Sequence, residues 1–549
     1  MAIDSQTQEQ TGRAIVGAWI LPYLMAVWCC LAVLNGNASH IPPMFDLFKL
    51  IAVVLTAVGL LHAFSFFAIK RHGRELILFA LVSMVGLHGG IGVNFAQSIG
   101  WPAFTAIWIV VHFAAIALFY CFGGHEKVKG LVPVAAIGIG ITLLFQIYGV
   151  VAPVANDVSQ ISEFKRELAE QAVSQTPVSE RQKQADSLPD IYYIIVDAYA
   201  GQSVLNEVYD FDNGPFIDSL RKRNFHVADA SRSNYQWTEF SLASSLNMTQ
   251  LVDLELERFK TRMPIRNMIA NNSVVRVLAE NGYKTIGFES GKIDTECKQF
   301  DEYIRVGSGL NDYEDVVYHN SLIPGLIKCS RIPIQSAARR HGNRTQKTLE
   351  LIPTVVSPDS KPTFVFSHLL APHPPFVHSE LGGDVDLHGH YLLADGEQFT
   401  RCFDYDAEVY RNAYRNQVAF INKKLSELID QIQSSDRESI VIIQGDHGPR
   451  LGFGAKPGTI VDKEDLYSRY RESYSILNAI YVPKDLNPKF YSTMTPVNTF
   501  RLIFNELFAM NLELQDDLSF FEENYGFEDV TERTLPLKTL AETAITKNK

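Results

Sequence analysis

Two distant stretches of the chain each end in side chains that commonly bind divalent metal ions. The apolar run at residues 440–444 is followed by Gly-Asp-His-Gly, which contains Asp446 and His447, and the run at residues 191–196 is followed by Asp197. Such runs are typical of buried strands in parallel sheets, and open α/β sheets build their sites at the carboxyl ends of strands. Because carboxylate oxygens and imidazole nitrogens are zinc ligands, the sequence predicts a metal site formed by these three side chains.

A hydroxyl-rich segment at residues 233–246 offers a nucleophile for this site, and Thr238 lies within it. A hydroxyl in front of a helix is usually an N-cap. If the Thr238 hydroxyl also reaches the cation, its pKa falls and an alkoxide becomes available near neutral pH. The residues alone leave both interpretations open.

The elements that must position these side chains alternate between strand-like and helix-like stretches through residues 189–549. Besides the two runs above, strands are predicted over residues 283–288, 363–368 and 475–482, and helices over 216–223, 273–281, 410–433 and 497–508. This alternation predicts an α/β domain with a mainly parallel central sheet and helices on both faces.

The first 155 residues have a different character, since they hold most of the long apolar runs. Five runs are each close to the ~20 residues that cross a bilayer as a helix; they cover residues 14–34, 50–69, 76–95, 104–122 and 131–151. Buried helices of a soluble core are the alternative, but five nearly uncharged runs in succession favour a five-helix transmembrane bundle. We therefore predict a transmembrane domain over residues 1–155.

Loop charges predict the orientation of the bundle. Lysine and arginine lie between runs two and three (residues 70–74) and between runs four and five (125–129), whereas residues 35–46 and 97–101, in the other two loops, carry neither. The positive-inside rule then places the amino terminus in the cytoplasm and everything after the fifth run outside. Residues 156–188 are predicted as a juxtamembrane amphipathic helix and linker, lying along the membrane or docked on the soluble domain. Residues 189–549 are predicted as an extracytoplasmic domain, which in a bacterium would lie on the periplasmic side of the inner membrane.

These motifs together resemble the alkaline phosphatase/sulfatase superfamily, and the five runs add a likeness to its membrane-anchored lipoteichoic acid synthases and phosphoethanolamine transferases. Thr238 begins a Thr-x-x-Ser pattern, His373 lies in a His-x-x-x-x-His-x-Pro stretch, and Asp446 and His447 belong to Asp-His-Gly. The resemblance implies that Asp197, Thr238, Asp446 and His447 hold one divalent ion, Zn²⁺ or Mn²⁺.

The chain also departs from these families. The sulfatase signature Cys/Ser-x-Pro-x-Arg is absent around Thr238, so sulfate ester hydrolysis is not expected. The membrane transferases often carry Glu where this chain has Asp197. No histidine occurs within residues 449–473, where a second metal ligand is common, so a second metal remains an open question.

By this resemblance, Thr238 forms a phosphothreonine intermediate and His373 protonates the leaving oxygen; the alternative for His373 is a structural loop residue. Arg450 and Arg471 are candidates to bind phosphate, because arginine contacts phosphate oxygens bidentately, although either can be an ordinary surface residue. His378, His388 and His390 either line the cleft or are solvated.

The expected reaction moves phosphoglycerol or phosphoethanolamine from a membrane phospholipid donor to a hydroxyl of an envelope glycan acceptor. A phosphodiester hydrolase of the same fold and a non-catalytic membrane sensor are the alternatives. The net charge of −12 gives no reason to expect a nucleic-acid partner.

Overall fold

The computed structural model describes thirteen stretches of the chain, and the structural statements below concern these residues. They are residues 2–35, 42–68, 74–86, 101–122, 126–174, 188–307, 310–319, 321–323, 337–357, 360–383, 385, 407–451 and 463–535. The chain divides into two compact units. The helical unit comprises Met1–Ile161, Phe259–Met263 and Leu310–Ile334, and the sheet unit comprises Ser162–Arg258, Pro264–Gly309 and Gln335–Lys549.

Five helices in the first 174 residues overlap the five predicted spans, while residue 69 of the second span and residues 87–95 of the third lie outside the described residues. They are α1 (Ala2–Asn35), α2 (Met44–Ala68), α3 (Arg74–Gly86), α4 (Trp101–Phe122) and α5 (Glu126–Ser174). In the described part of the chain, three segments are long and apolar enough to cross a membrane, Met44–Phe67, Ala103–Phe122 and Val132–Leu168. Two shorter apolar segments, Trp19–Asn35 and Leu76–Gly86, coincide with the first and third predicted spans. The count of five therefore stays a prediction.

Helix α5 runs without interruption from the last predicted span into the juxtamembrane segment, although it contains Pro133 and Pro153. Near its end, in the sheet unit, Phe164 is fully buried and the Arg258 guanidinium lies 5.5 Å from its ring centroid. Both residues belong to the sheet unit, and the choice between a docked linker and a helix along the membrane stays a prediction.

A seven-stranded sheet forms the centre of the sheet unit. Its strands are β1 (Asp190–Val196), β2 (His226–Val227), β3 (Lys284–Phe288), β4 (Glu302–Ile304), β5 (Thr363–Leu369), β6 (Ser439–Gln444) and β7 (Asn478–Tyr481), in the spatial order β2-β7-β6-β1-β5-β3-β4. Strands β6, β1, β5, β3 and β4 pair in parallel, whereas β7 is antiparallel to β6 and β2. A two-stranded hairpin, β8 (Phe520–Glu523) and β9 (Gly526–Asp529), lies apart from this sheet. The prediction of a mainly parallel α/β domain is confirmed.

Eleven further helices occur among the described residues. They are α6 (Gln202–Tyr209), α7 (Gly214–Lys222), α8 (Thr238–Asn247), α9 (Met263–Ala270), α10 (Ser273–Glu280), α11 (Asp312–His319), α12 (Ala337–Leu351), α13 (Ala407–Gln433), α14 (Lys463–Tyr474), α15 (Pro496–Phe508) and α16 (Thr531–Thr534). The longest, α13, buries Tyr414, Val418, Ile421 and Leu425 at helical spacing, as an amphipathic helix against a sheet does.

Strand register decides where the site forms. β1 lies between β5 and β6, and Ile195 pairs with His368 on one side and with Gln444 on the other. All seven residues of β1 are buried, which explains the apolar run from Ile191 to Val196. Since the three strands run in parallel and in register, the residues that follow each of them meet at one edge of the sheet.

Candidate metal centre

Three acidic and imidazole groups converge at this edge. One ligand atom from each of Asp197, Asp446 and His447 lies within 4.8 Å of the others, and all three residues are buried. His447 Nε2 is 3.5 Å from Asp197 Oδ1 and 3.6 Å from Asp446 Oδ2. Thr238 Oγ1 lies 3.3 Å from the same nitrogen. The structure thus brings together the four side chains that the sequence analysis proposed as ligands.

The donor atoms themselves fit a cation. Asp197 Oδ1 and Asp446 Oδ2 are buried and accept no hydrogen bond from any described residue. The other oxygen of Asp446 accepts one from the Ala198 backbone N–H at 3.1 Å. Leaving a buried carboxylate oxygen without a partner is costly. A divalent ion coordinated by these oxygens removes that cost.

The tautomer of His447 also suits metal binding. Its Nδ1 lies 2.8 Å from the Gly448 carbonyl oxygen. Because a carbonyl oxygen only accepts, Nδ1 carries the proton and Nε2 presents its lone pair to the other donors.

Asp197 is also held by His368, the first histidine of the His-x-x-x-x-His-x-Pro stretch. His368 Nε2 lies 3.2 Å from Asp197 Oδ2, and His368 Nδ1 is 2.9 Å from the hydroxyl of Thr295. Burial raises the pKa of Asp197, but the nearby His373, His368 and His447 outweigh it and hold that pKa well below its ordinary value. Asp197 is therefore ionised and available as a metal ligand.

Thr238 reaches the site as the first residue of α8. The residue before it, Trp237, has extended backbone angles (φ −116°, ψ 138°) and serves as the N-cap. Thr238 is buried. Its hydroxyl lies at the positive end of the helix dipole, where the first N–H groups of a helix favour an anion. The position suits both an alkoxide and a bound phosphate.

Close backbone packing explains the glycines of Gly-Asp-His-Gly. A Cβ on Gly445 would lie 2.6 Å from the Tyr199 carbonyl oxygen, and one on Gly448 would lie 2.0 Å from the Glu472 carbonyl oxygen. Neither contact is possible, so only glycine fits at either position.

Helix α13 holds the loop that follows β1 in place through hydrogen bonds from Tyr414. Ala198 has a left-handed backbone (φ 58°). Tyr414 donates its hydroxyl hydrogen to the Ala198 carbonyl at 2.7 Å and accepts the Ala200 N–H at 3.1 Å. These two bonds hold the turn that carries Asp197 and the Ala198 N–H.

His373 lies beside the donor cluster and is half-buried. Its backbone N–H donates to the Asp197 carbonyl at 3.0 Å, and its ring centroid is 6.2 Å from that of His447. A partly open imidazole next to the ligands can exchange protons with a bound substrate.

The basic candidates are placed differently. Arg450 is buried and stacks over Trp237, with 3.7 Å from Cζ to the ring centroid, so it adjoins the residue before Thr238. Arg471 lies 3.5 Å from Glu207 on α6. Lys292, which the sequence analysis did not single out, has its Nζ 3.9 Å from Glu239, the neighbour of Thr238.

The remaining histidine candidates do not join the cluster in the described part of the chain. His378 is buried and stacks on Phe420 at 4.0 Å between centroids. His388 and His390 lie outside the described residues.

Several solved structures are similar to this chain at low sequence identity. The C-terminal periplasmic domain of EptC from Escherichia coli, in complex with zinc, shares 14% identity at a TM-score of 0.43, over 66% of this chain and 97% of that one. The soluble domain of lipooligosaccharide phosphoethanolamine transferase A from Neisseria meningitidis shares 13% at 0.39, over 60% and 90%. The integral membrane form of that transferase shares 14% at 0.39, over 92% and 96%. No curated protein matches the chain.

The family model described as Sulfatase matches residues 189–474, just over half of the chain. This stretch begins just before β1 and contains Asp197, Thr238, His373, Asp446 and His447. The chain therefore belongs to the sulfatase family and is a metal-dependent enzyme of the sulfatase-like class.

Proposed function

We propose that the protein transfers a phosphorylated head group, phosphoglycerol or phosphoethanolamine, from a membrane phospholipid to a hydroxyl of an envelope glycan. The observation that carries the proposal is the position of the Thr238 hydroxyl, 3.3 Å from His447 Nε2 and at the amino end of α8. A binding protein has no need of a nucleophile among buried metal ligands. Three apolar helices of membrane-spanning length suit a substrate that resides in the bilayer.

Asp197, Asp446, His447 and Thr238 are the residues that would hold one divalent ion, Zn²⁺ or Mn²⁺. When bound, the ion supplies positive charge that lowers the pKa of the Thr238 hydroxyl and offsets charge on the phosphate. The Gly448 carbonyl fixes the His447 tautomer, and His368 orients Asp197 from its other oxygen.

The reaction proceeds in two displacements. Thr238 Oγ1 attacks phosphorus as an alkoxide, its proton having passed to solvent; the new Oγ1–P bond forms, and the bond from phosphorus to the diacylglycerol oxygen breaks. His373 gives its proton to that leaving oxygen. His373 then takes a proton from the acceptor hydroxyl, whose oxygen displaces Thr238 from phosphorus. Arg450 and Lys292 offset phosphate charge near Thr238, and Arg471, next to Glu207, would bind substrate farther out.

The proposed orientation has the amino terminus in the cytoplasm and the sheet unit outside the inner membrane. It is supported by the charges at residues 70–74 and 125–129. It is also supported by residues 310–323, which come from the middle of the sheet-unit sequence and contact α1 near its carboxyl end and α2 near its amino end. The loop charges assign both of those ends to the outer face.

The test uses full-length protein in liposomes that contain phosphatidylglycerol or phosphatidylethanolamine with a labelled head group. Diacylglycerol release that requires an added envelope glycan supports the transferase. Release of free head group without glycan indicates the hydrolase instead.

Mass spectrometry of the protein quenched during turnover is expected to find phosphate on Thr238. Thr238→Ala is expected to abolish both the adduct and turnover. Ser241→Ala is the matched control, because Ser241 is also buried and lies one turn later in α8. Full activity of Thr238→Ala would refute the covalent route.

A further inference from the structure

The helical unit includes a segment that the sequence places far from the predicted spans. Leu310–Ile334 belongs to this unit, although residues on both sides of it belong to the sheet unit. Its described residues are 310–319, which contain α11, and 321–323. None of these described residues belongs to a helix that is long and apolar enough to cross a membrane, so their place in the helical unit needs another explanation.

Tyr313 packs α11 against three helices of the helical unit, α1, α2 and α5. Its ring is buried in an apolar cluster. The buried partners in that cluster are Leu31, Leu34, Leu47, Leu143 and Val150. Leu31 lies four residues before the end of α1, or about 6 Å along the axis at 1.5 Å per residue. Tyr313 therefore packs beside the last turn of α1 and not beyond its final residue.

Glu314 reaches a similar depth on α2. Its Oε1 lies 2.7 Å from Lys49 Nζ, and Lys49 is five residues into the apolar segment Met44–Phe67, about 7.5 Å from its start. A charge inside a span is normally paired. Glu314 supplies that pairing from outside the predicted bundle.

Glu314 is held in place by its own helix. Asn311 Oδ1 accepts the Glu314 N–H at 2.8 Å, and Glu314 Oε2 accepts the Asn311 N–H at 3.2 Å. This reciprocal pair is a capping box at the start of α11. Farther on, the Leu322 N–H donates to the Val85 carbonyl at 2.9 Å, in the last turn of α3. The segment is thus fixed at both ends to the helical unit.

Two apolar side chains of this anchored segment are exposed. Val316 and Ile323 are each 41% exposed, and at the same end of α2 the side chains of Phe45 and Phe48 are 76% and 65% exposed. Apolar surface at the end of a spanning helix faces the boundary between head groups and acyl chains. Val316 and Ile323 thus belong to a segment that contacts the same end of α2 through Tyr313 and Glu314.

We propose that residues 310–323 form a membrane-interface segment, in which phospholipids of the adjacent leaflet cover Val316 and Ile323. The depth of the contacts made by Tyr313 and Glu314 places α11 among the helix ends, where lipid rather than water is the neighbour. Burying exposed apolar side chains at this boundary is favourable. This surface does not depend on the reaction that the metal centre performs.

The test places a photoreactive benzophenone amino acid at single positions of the full chain, reconstituted in phosphatidylethanolamine and phosphatidylglycerol vesicles. Positions 316 and 323 are compared with two controls. Phe64 is 68% exposed near the carboxyl end of α2, inside the membrane-spanning segment Met44–Phe67, and Val252, in the sheet unit, is 40% exposed and so matches Val316 and Ile323.

Phospholipid adducts at 316 and 323 in yields close to that at 64, with background yield at 252, are the expected result. Adducts at 64 but none at 316 and 323 would overturn the proposal. Cross-links from 316 or 323 to a second copy of the chain would overturn it too, since they would assign the surface to a protein partner.

Discussion

The substitution Tyr414→Phe tests whether the Tyr414 hydroxyl holds the turn that carries Asp197. The change removes one oxygen and with it the bonds to the Ala198 carbonyl and the Ala200 N–H. Both backbone groups belong to fully buried residues. An unsatisfied buried group costs about 1–3 kcal/mol, so we expect the free energy of unfolding to fall by about 2–4 kcal/mol. The turn at Ala198 also loses its fixed shape, and metal affinity is expected to fall ~10- to 100-fold.

Tyr283→Phe is the matched control. Tyr283 is buried and its hydroxyl donates to the Pro189 carbonyl at 2.8 Å, at the amino end of β1, opposite Asp197. This variant should lose about 1 kcal/mol of stability and bind metal normally. Thermal unfolding and competition with a chromophoric zinc chelator measure both quantities. If Tyr414→Phe bound metal as tightly as Tyr283→Phe does, the turn would not depend on α13 and the reasoning would fail.

Four further variants test other parts of the site. Asp446→Asn should stabilise the chelator-treated protein by roughly 3 kcal/mol, because it removes the repulsion between the Asp197 and Asp446 carboxylates, which lie within 4.8 Å of each other, at an effective dielectric constant of about 20. The same variant should show no gain in melting temperature when Zn²⁺ is added. Gly445→Ala should disrupt metal binding because the added Cβ would lie 2.6 Å from the Tyr199 carbonyl oxygen. Gly140→Ala should fold normally, because a Cβ added there meets no atom within 4 Å. Arg450→Lys keeps the charge but loses the planar stack on Trp237, so turnover should fall by up to ~30-fold, the equivalent of about 2 kcal/mol, with metal content unchanged. Burial raises the pKa of Glu296 to about 7 from 4.5. This group therefore stabilises the fold below about pH 4.5, and its contribution is lost as the pH rises through 7; Glu296→Gln should flatten that part of the melting-temperature profile.

The sequence brought out the candidate ligands more readily than the residues that pack around them. Asp197, Asp446 and His447 could be found because each follows an apolar run that is long enough to be a buried strand. The contact between His368 and Asp197 could not be predicted in the same way, because it requires β5 to lie next to β1. That order is set by tertiary packing, and nothing in the local sequence of either strand encodes it.

The same limit applies to Lys292 and to α11. Lys292 follows β3, and its approach to Glu239 depends on how the loop after that strand folds over α8. The capping box of Asn311 and Glu314 is visible in the sequence as Asn-Asp-Tyr-Glu. Its partner Lys49 is 265 residues away in the chain, and no periodicity connects the two.

The geometry around Asp197 explains why a shorter carboxylate suits this chain, whereas the resembling transferases often carry Glu there. The Asp197 N–H donates to the Leu369 carbonyl at 3.0 Å, and its carbonyl accepts the His373 N–H at 3.0 Å. With the backbone fixed on both sides, the carboxylate already reaches His447 with one oxygen and His368 with the other. One more methylene would move both oxygens by about 1.5 Å, and the paired backbone could not retreat to compensate. The length of the side chain at 197 is thus matched to a loop that β5 holds close to the ligands.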